Sequence, residues 1–357
     1  MTNRDIIAIG TSAGGVQALL YLAKHFPADL PATVLVTIHL PSQFRSSLDE
    51  LLSRAGPLPA SFATDGTPLR KGHIYLAPPD RHLLIEEEKV RLGTGPRENN
   101  ARPAIDPMLR SAAVCCCGRS IGVVLTGTLG DGASGLWAVS QCGGRTVVQD
   151  PRGAAFPDMP RNALNRLDPD HVATLEQMPA LLVNLAHQPA AEPQRLSANV
   201  RAELEIARSG GGKMSIMDRI GRRSVLSCPE CQGVMWEIDE GNLTRFRCHV
   251  GHTYTAELMS LALDENLRRA LASAQRALEE RLALAGKLHR QAQESGHRHL
   301  AENWSAKARD YDAEMKVIRN AIRRMEAIAA REELQSAESS DDAVRAISHK
   351  PAKKARA

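Results

Sequence analysis

Ser12 sits in the string Gly10-Thr11-Ser12-Ala13-Gly14-Gly15, where the apolar run Ile6-Ile7-Ala8-Ile9 gives way to a helical pattern. A strand that turns this abruptly into a helix needs little side-chain bulk at the corner, which glycine supplies. The first turn of that helix would aim backbone N–H groups and its positive dipole end at the corner, beside the Ser12 hydroxyl. That setting suits a nucleophile, although a plain glycine-rich turn would carry the same residues. Two phosphate-binding alternatives fit less well. Ser12 occupies the slot of the second glycine of a dinucleotide fingerprint, and no lysine follows Gly14 or Gly15 as a phosphate-cradling loop requires.

Two more polar residues close apolar runs. His39 ends Val34-Leu35-Val36-Thr37-Ile38, and Asp131 lies in the turn Gly127-Thr128-Leu129-Gly130-Asp131-Gly132 after the run 121–126. In an open α/β sheet, reactive groups gather outside the carboxyl edge, where strands end and helices begin. A serine nucleophile, a histidine base and an aspartate orienter would explain all three placements at once. An edge-of-strand histidine and an ordinary turn aspartate are the plainer readings. Asp106 and Asp150 also lie near element ends and are alternatives for the third member.

A second constellation lies downstream. Cys228-Pro229-Glu230-Cys231 faces Cys248-His249-Val250-Gly251-His252 across a stretch with the pattern of a hairpin. Three thiolates and one imidazole satisfy tetrahedral Zn²⁺, and so small a zinc-ribbon-like module has too little core to fold without such a staple. His249 adjoins Cys248, and adjacent side chains seldom reach one ion, so His252 is the favoured fourth ligand and His249 the alternative. Four protein ligands would leave no open position, which makes the expected site structural. Free or redox-active thiols are the other reading. The run Cys115-Cys116-Cys117 reads as small apolar residues buried near Val114.

Holding these groups takes a positioned scaffold. From Asp5 to about His187, short β-rich runs alternate with helical ones, which predicts a doubly wound α/β domain with a mostly parallel sheet over residues 1–187. Strands are expected at 34–38, 121–126 and 145–150, and helices at 102–113, 133–139 and 178–186. A strand pair at 73–77 and 83–85, with 90–92 returning, has a more antiparallel flavour. Residues 188–227 are rich in Ala, Pro, Glu and Arg and include Ser209-Gly210-Gly211-Gly212, so they read as a flexible linker with one short helix at 200–207. The Cys/His module then spans 228–254.

Residues 255–333 read as an antiparallel helical hairpin of coiled-coil character, broken at Glu294-Ser295-Gly296-His297. Its stripes are Leu267, Leu271, Ala274, Leu278 and Ala285, then Leu300, Trp304, Ala308, Tyr311, Met315, Ile318, Ile322 and Met325. Such a hairpin could dimerise or pack against a partner bundle, with self-packing as the plain alternative. The tail, 334–357, is Ser-, Asp- and Lys-rich and reads as disordered.

The 357 residues leave room for at least two units, and 45 Lys and Arg against 41 Asp and Glu give a net charge of only +4. That balance gives no case for a dedicated nucleic-acid binder. No window approaches the ~18 apolar residues of a membrane span, and the first apolar run is too short for a signal peptide. A soluble, cytoplasmic protein is expected, and the seven cysteines read as reduced.

Gly10-Thr11-Ser12-Ala13-Gly14-Gly15, Ile38-His39-Leu40-Pro41, Arg102-Pro103-Ala104-Ile105-Asp106 and Leu125-Thr126-Gly127 leading to Asp131-Gly132-Ala133 together resemble the motif series of the CheB-type chemotaxis methylesterases, over about residues 4–187. The resemblance implies a triad of Ser12, His39 and Asp131, in that chain order, on a doubly wound sheet. An α/β-hydrolase would place its acid before its histidine. The implied activity is hydrolysis of γ-glutamyl methyl esters on the cytoplasmic helices of chemoreceptors, with room for deamidation of receptor glutamines and no catalytic cofactor. Implied partners are the methylated receptor and, as further candidates, a receptor methyltransferase or other chemotaxis proteins. A similar Cys/His module follows some stand-alone CheB-like esterases. Family members commonly carry an amino-terminal receiver domain, and this chain is expected to lack one. The competing expectation is a non-catalytic, zinc-stabilised scaffold that docks receptor or partner helices.

Overall fold

The structure, a computed structural model, describes residues 3–39, 46–194, 196–209, 214–240 and 243–347. It divides into two units, residues 1–260 and 261–357. The first unit opens with the strands β1 (Ile6–Thr11), β2 (Thr33–Ile38), β3 (Ala60–Phe62), β4 (Ile74–Leu76), β5 (His82–Glu86), β6 (Lys89–Gly93), β7 (Ser120–Val124), β8 (Arg145–Gln149) and β9 (His171–Ala173). The helices among and after them are α1 (Gly15–His25), α2 (Leu48–Ala55), α3 (Ile105–Cys116), α4 (Ala133–Gln141), α5 (Asp158–Arg166) and α6 (Met178–His187).

Seven strands form one sheet in the order β3-β4-β2-β1-β7-β8-β9, parallel at every pairing. β1 is buried throughout because helices cover both faces of the sheet. Ile7 and Ile9 join Leu19 and Leu22 of α1, Leu52 of α2 and Leu182 of α6 in one core. Ile6 and Ala8, pointing the other way, join Leu109 of α3, Leu136 of α4 and Met159 of α5 in the other. β1 lies between β2 and β7, so successive connections leave it to opposite sides. The crevice at the carboxyl end of β1 is therefore the switch point of the sheet, where ligands of such folds bind.

Several expectations change. The pair expected at 73–77 and 83–85 is split: β4 joins the parallel sheet, while β5 and β6 form a separate antiparallel pair. Of the three consecutive cysteines only Cys116 is buried, and Cys115 is exposed. The segment 188–227 is not a flexible linker over its described part. It contains α7 (Ala198–Ser209), α8 (Met214–Ile220) and β10 (Arg222–Ser227). Val200 enters the second core, and Ile206 packs with Met217, Ile220, Trp236 and Ile238 in a third. The contact between α7 and the chain leaving β6 is backbone to backbone. Thr94 N–H donates to the Arg208 carbonyl at 3.2 Å, and Gly95 N–H donates to the Ala207 carbonyl at 3.1 Å, so α7 is fastened to the end of β6. The composition misled because Glu203, on the same helix face as Val200 and Ile206, is polar yet fully buried. The glycines at 210–212 lie outside the described residues.

A four-stranded antiparallel sheet follows, in the order β10-β11-β12-β13, with β11 (Val234–Glu240), β12 (Leu243–Cys248) and β13 (Thr253–Thr255). Two long helices come next, α9 (Ala256–Glu294) and α10 (Arg298–Ile347), which turn at Gly296 with a left-handed φ of 75°. Leu278, Ala285, Ala301 and Met315 are buried, whereas the expected stripe members Leu267 and Leu300 are exposed. α10 continues through 334–347, part of the expected disordered tail. Residues 348–357 lie outside the described part.

Packing at the switch point is close. A Cβ on Gly10 would lie 2.1 Å from Ile105 Cγ2 and 3.1 Å from Ile105 Cβ, at the first turn of α3. Gly10→Ala should therefore destabilise the fold by about 1–3 kcal/mol, measured by urea unfolding. An unchanged midpoint would contradict this packing.

Candidate active site

β1 ends at Thr11, and Gly14, the N-cap of α1, takes a left-handed φ of 74°, which lets the chain reverse with Ser12 at the corner. The Ser12 N–H donates to the Thr126 carbonyl at 3.0 Å, and the Thr11 hydroxyl donates to the same oxygen at 2.8 Å. The corner is thus fixed to the chain leaving β7. Gly127 makes room for it, since a Cβ there would stand 2.9 Å from Ser12 Cβ and 2.1 Å from Met159 Sδ.

His39 follows β2 directly. Its Nδ1 lies 3.2 Å from Ser12 Oγ, and its Nε2 lies 2.8 Å from Asp131 Oδ2. With Nε2–H donated to the carboxylate, Nδ1 carries the lone pair that faces the hydroxyl, which is the protonation state a general base requires. The serine-protease template uses the two ring nitrogens the other way round; either can take the proton once a carboxylate holds the other. Leu40 and Pro41, the rest of this motif, lie outside the described residues.

Asp131 is 1% exposed. Besides His39 it accepts from the backbone N–H groups of Ile105 (2.7 Å), Asp106 (3.1 Å) and Gly132 (2.9 Å), and from Asn99 Nδ2 (3.0 Å). Ile105 and Asp106 are the first residues of α3, so the carboxylate sits on a helix N-terminus, where N–H groups lack intrahelical partners. Burial alone would raise its pKa. The His39 hydrogen bond and charge, then the Ile105 and Asn99 donors, hold it below the usual carboxylate range. The two alternatives hold other partners: Asp106, beside Asp131, accepts from Gly135 N–H at 2.7 Å, and Asp150 pairs with Arg152 at 2.6 Å.

In the antiparallel sheet, Cys228, Cys231, Cys248 and His252 bring their donor atoms within 4.8 Å of one another, a group that could hold a metal ion. His252 Nδ1 lies 3.6 Å from Cys228 Sγ and 3.5 Å from Cys248 Sγ, and Cys231 Sγ lies 3.6 Å from Cys248 Sγ. Glu230 Oε2 stands 3.3 Å from His252 Nε2 and fixes the ring from behind. His249 is not part of this group.

The family model described as CheB methylesterase matches residues 7–182. A relative from Leptospira interrogans is 33% identical over 184 residues, which cover 51% of this chain and 95% of that protein. The chain belongs to the CheB methylesterase family. The protein-glutamate methylesterase/protein-glutamine glutaminase 1 of Chromobacterium violaceum is 37% identical over 188 residues, 52% of each chain. A protein-glutamate methylesterase/protein-glutamine glutaminase 2 of Xanthomonas oryzae is 37% identical over 191 residues, 52% of this chain and 53% of that one. The chain therefore spans about half the length of these curated relatives. The crystal structure of the Thermotoga maritima CheB methylesterase catalytic domain is 31% identical, covering 52% of this chain and all of that one, with a TM-score of 0.49.

The CheB methylesterase match ends within α6, so α7, the Cys/His group and the long helices lie beyond it. Within the matched part, sequence reasoning missed Asn99, whose amide donates to both Asp131 and Asp106 at 3.0 Å. Nothing in its neighbours Glu98 and Asn100 marks it. Only the need for a neutral donor between two buried carboxylates could have raised the question.

Burial, and then the Asp131 charge, pushes the Asp106 carboxyl up to about 7. A folded-state value above the ordinary 3.8 means that the stability Asp106 contributes is complete below 3.8 and is lost as pH rises from there through about 7. Asp106→Asn removes this titration. Between about pH 4 and about pH 8 the wild type should lose on the order of 2–4 kcal/mol relative to the variant, read by urea unfolding across the range. A constant difference would show that Asp106 does not carry the proton.

Proposed function

We propose that this chain is a serine hydrolase that demethylates glutamate methyl esters on the cytoplasmic helices of chemoreceptors, with glutamine deamidation as a second reaction of the same centre. One observation carries the reading: the hydrogen-bonded row Ser12, His39, Asp131 at the switch point of the sheet. Family membership and the printed names of the Chromobacterium and Xanthomonas relatives support it. The proposed place of action is the cytoplasm, where those receptor helices lie. No helix among the described residues is long and apolar enough to cross a membrane. The methylated receptor is the proposed partner, and a receptor methyltransferase or another chemotaxis protein would meet the same receptor.

In the proposed mechanism Ser12 Oγ attacks the ester carbonyl while His39 Nδ1 takes its proton. Asp131 holds the ring by Nε2–H and offsets the imidazolium charge. Backbone N–H groups at the start of α1 and in the Thr128 turn stabilise the oxyanion. The tetrahedral intermediate collapses with cleavage of the ester C–O bond, and His39 protonates the departing methoxide to methanol. Water, deprotonated by His39, then attacks the acyl-serine. The receptor leaves as the glutamate carboxylate, and Ser12 recovers its proton. Ammonia replaces methanol when the substrate is a glutamine side chain.

Ser12→Ala should lower methanol release from methylated receptor by about 10⁴-fold or more, with circular dichroism unchanged. Wild-type rates in that variant would remove Ser12 from the mechanism and favour the scaffold reading.

For the Cys/His group we propose a structural zinc. Around an ion with Zn–S arms of about 2.3 Å and a Zn–N arm of about 2.0 Å, tetrahedral geometry sets S···S near ~3.8 Å and S···N near ~3.5 Å. The observed separations are 3.6 Å for Cys231 to Cys248 and 3.5–3.6 Å for the sulfurs to His252 Nδ1. Four protein donors leave no place for a reacting water, so the ion would brace β10 to β13 and take no part in ester chemistry. Purified protein should contain one zinc per chain, and a strong chelator should lower its melting temperature. Metal-free protein with an unchanged melting temperature would exclude the site.

A further inference from the structure

The esterase match stops at residue 182, yet the sheet beyond it reaches the candidate active site. Thr253, in β13, accepts the Asn99 N–H at 2.8 Å, and Glu98 bridges to the same residue. Asn99 is 4% exposed. Its two amide hydrogens are shared between Asp131 Oδ1 and Asp106 Oδ2, at 3.0 Å each. That orientation is forced, because an amide oxygen turned toward two carboxylates would set lone pair against lone pair.

The turn carrying Asn99 closes on itself: Glu98 N–H donates to the Ala101 carbonyl at 3.2 Å, and Ala101 N–H donates to the Glu98 carbonyl at 3.0 Å. Asn99 and Asn100, with left-handed φ of 51° and 62°, are its two central residues, a conformation asparagine adopts more readily than most residues. The place of the turn in the fold is set from outside by a fully buried ion network. Glu98 pairs with Arg110 of α3 and with Arg247 of β12, the latter at 2.8 Å. Glu203 of α7 pairs with Arg245 at 2.8 Å and with Arg247 at 3.3 Å. Burial works against an ionised Glu203, but Arg245, Arg110 and Arg247 hold its pKa down to about 2. The network thus joins three parts of the chain: the esterase domain, α7 and the antiparallel sheet. Arg247 immediately precedes Cys248, and Thr253 immediately follows His252, so the two contact residues bracket the second half of the Cys/His group.

We propose that the antiparallel sheet completes the reaction centre: β13 and Arg247 fix the 98–101 turn, and Asn99 on that turn is a positioning residue for Asp131. The inference rests on the hydrolase reading above. It makes the Cys/His module a working part of the esterase, so a disturbance of β12 or β13 reaches His39 through Asn99 and Asp131.

The test uses the whole 357-residue chain and a fluorophosphonate probe. Such a probe forms a P–O bond to an activated serine as P–F breaks and fluoride leaves, so it reads Ser12 without any receptor. Asn99→Ala should label at least ten-fold more slowly at saturation, with the half-saturating probe concentration within two-fold of wild type. Arg247→Met should label slowly in the same way. It should also exchange the amide hydrogens of Asn99, Ile105 and Asp106 faster, as a merely structural role for Arg247 at a distance from the site would not. Labelling of Asn99→Ala within two-fold of wild type would overturn the proposal, as would faster exchange in Arg247→Met confined to β12 and β13. If Arg247→Met does not fold, Asn99→Ala decides alone. A wild-type chain that fails to label Ser12 would overturn the hydrolase reading and the inference with it, whereas normal wild-type labelling with an unaffected Asn99→Ala would remove only the inference.

Discussion

A carboxylate buried at the centre of a sheet edge is stable only if every lone pair finds a donor, and Asp131 imposes that condition on its surroundings. Its donors are the His39 ring, two N–H groups of the α3 N-terminus, the Gly132 N–H and the Asn99 amide. Each must arrive within about 3 Å, the normal range for such bonds. The positions of α3, of the turn before it and of the β2 end are therefore linked through one side chain. Ser12, only partly buried at the rim, has His39 between it and the buried acid.

The need to satisfy that carboxylate also explains why Asp106 tends toward neutrality. Two anions joined by one amide donor in a dry interior are unfavourable, and the acid that faces His39 keeps the charge. The buried arginines answer a similar problem one turn further along α3, where Arg110 follows Asp106 by four residues. Glu98 and Glu203 are fully buried, and Arg110, Arg245 and Arg247 make their ionised forms tenable. Buried ion pairs of this kind are weak arguments for stability, but removing one partner leaves an uncompensated charge, so they bind the positions of their elements to each other.

Much of the first unit was legible because its signals are local. Continuous apolar runs marked β1, β2 and β7; glycine-rich corners follow β1 and β7, and His39 itself closes the β2 run, which placed Ser12, His39 and Asp131 at one edge. Strand ends alone did not separate Asp131 from Asp106 and Asp150; the motif resemblance pointed to Asp131, and its carboxylate lies 2.8 Å from His39 Nε2. The region 188–227 was misread because Glu203 is charged, and a buried glutamate beside Arg245 and Arg247 cannot be told from a solvated one by composition. β3 and β9, each three residues long, are too short to show a period of their own. Asn99 owes its position to a turn fixed from Arg247 and Thr253, far along the chain, and no local pattern encodes that.

The central claim is that Ser12 becomes the acyl carrier. Rapid acid quenching during turnover of a methylated receptor peptide, followed by digestion and mass spectrometry, tests it most directly. The account predicts that the fragment containing Ser12 gains the mass of the peptide less methanol. Continued methanol release with that fragment unmodified at every quench time, and an adduct on another residue, would contradict it.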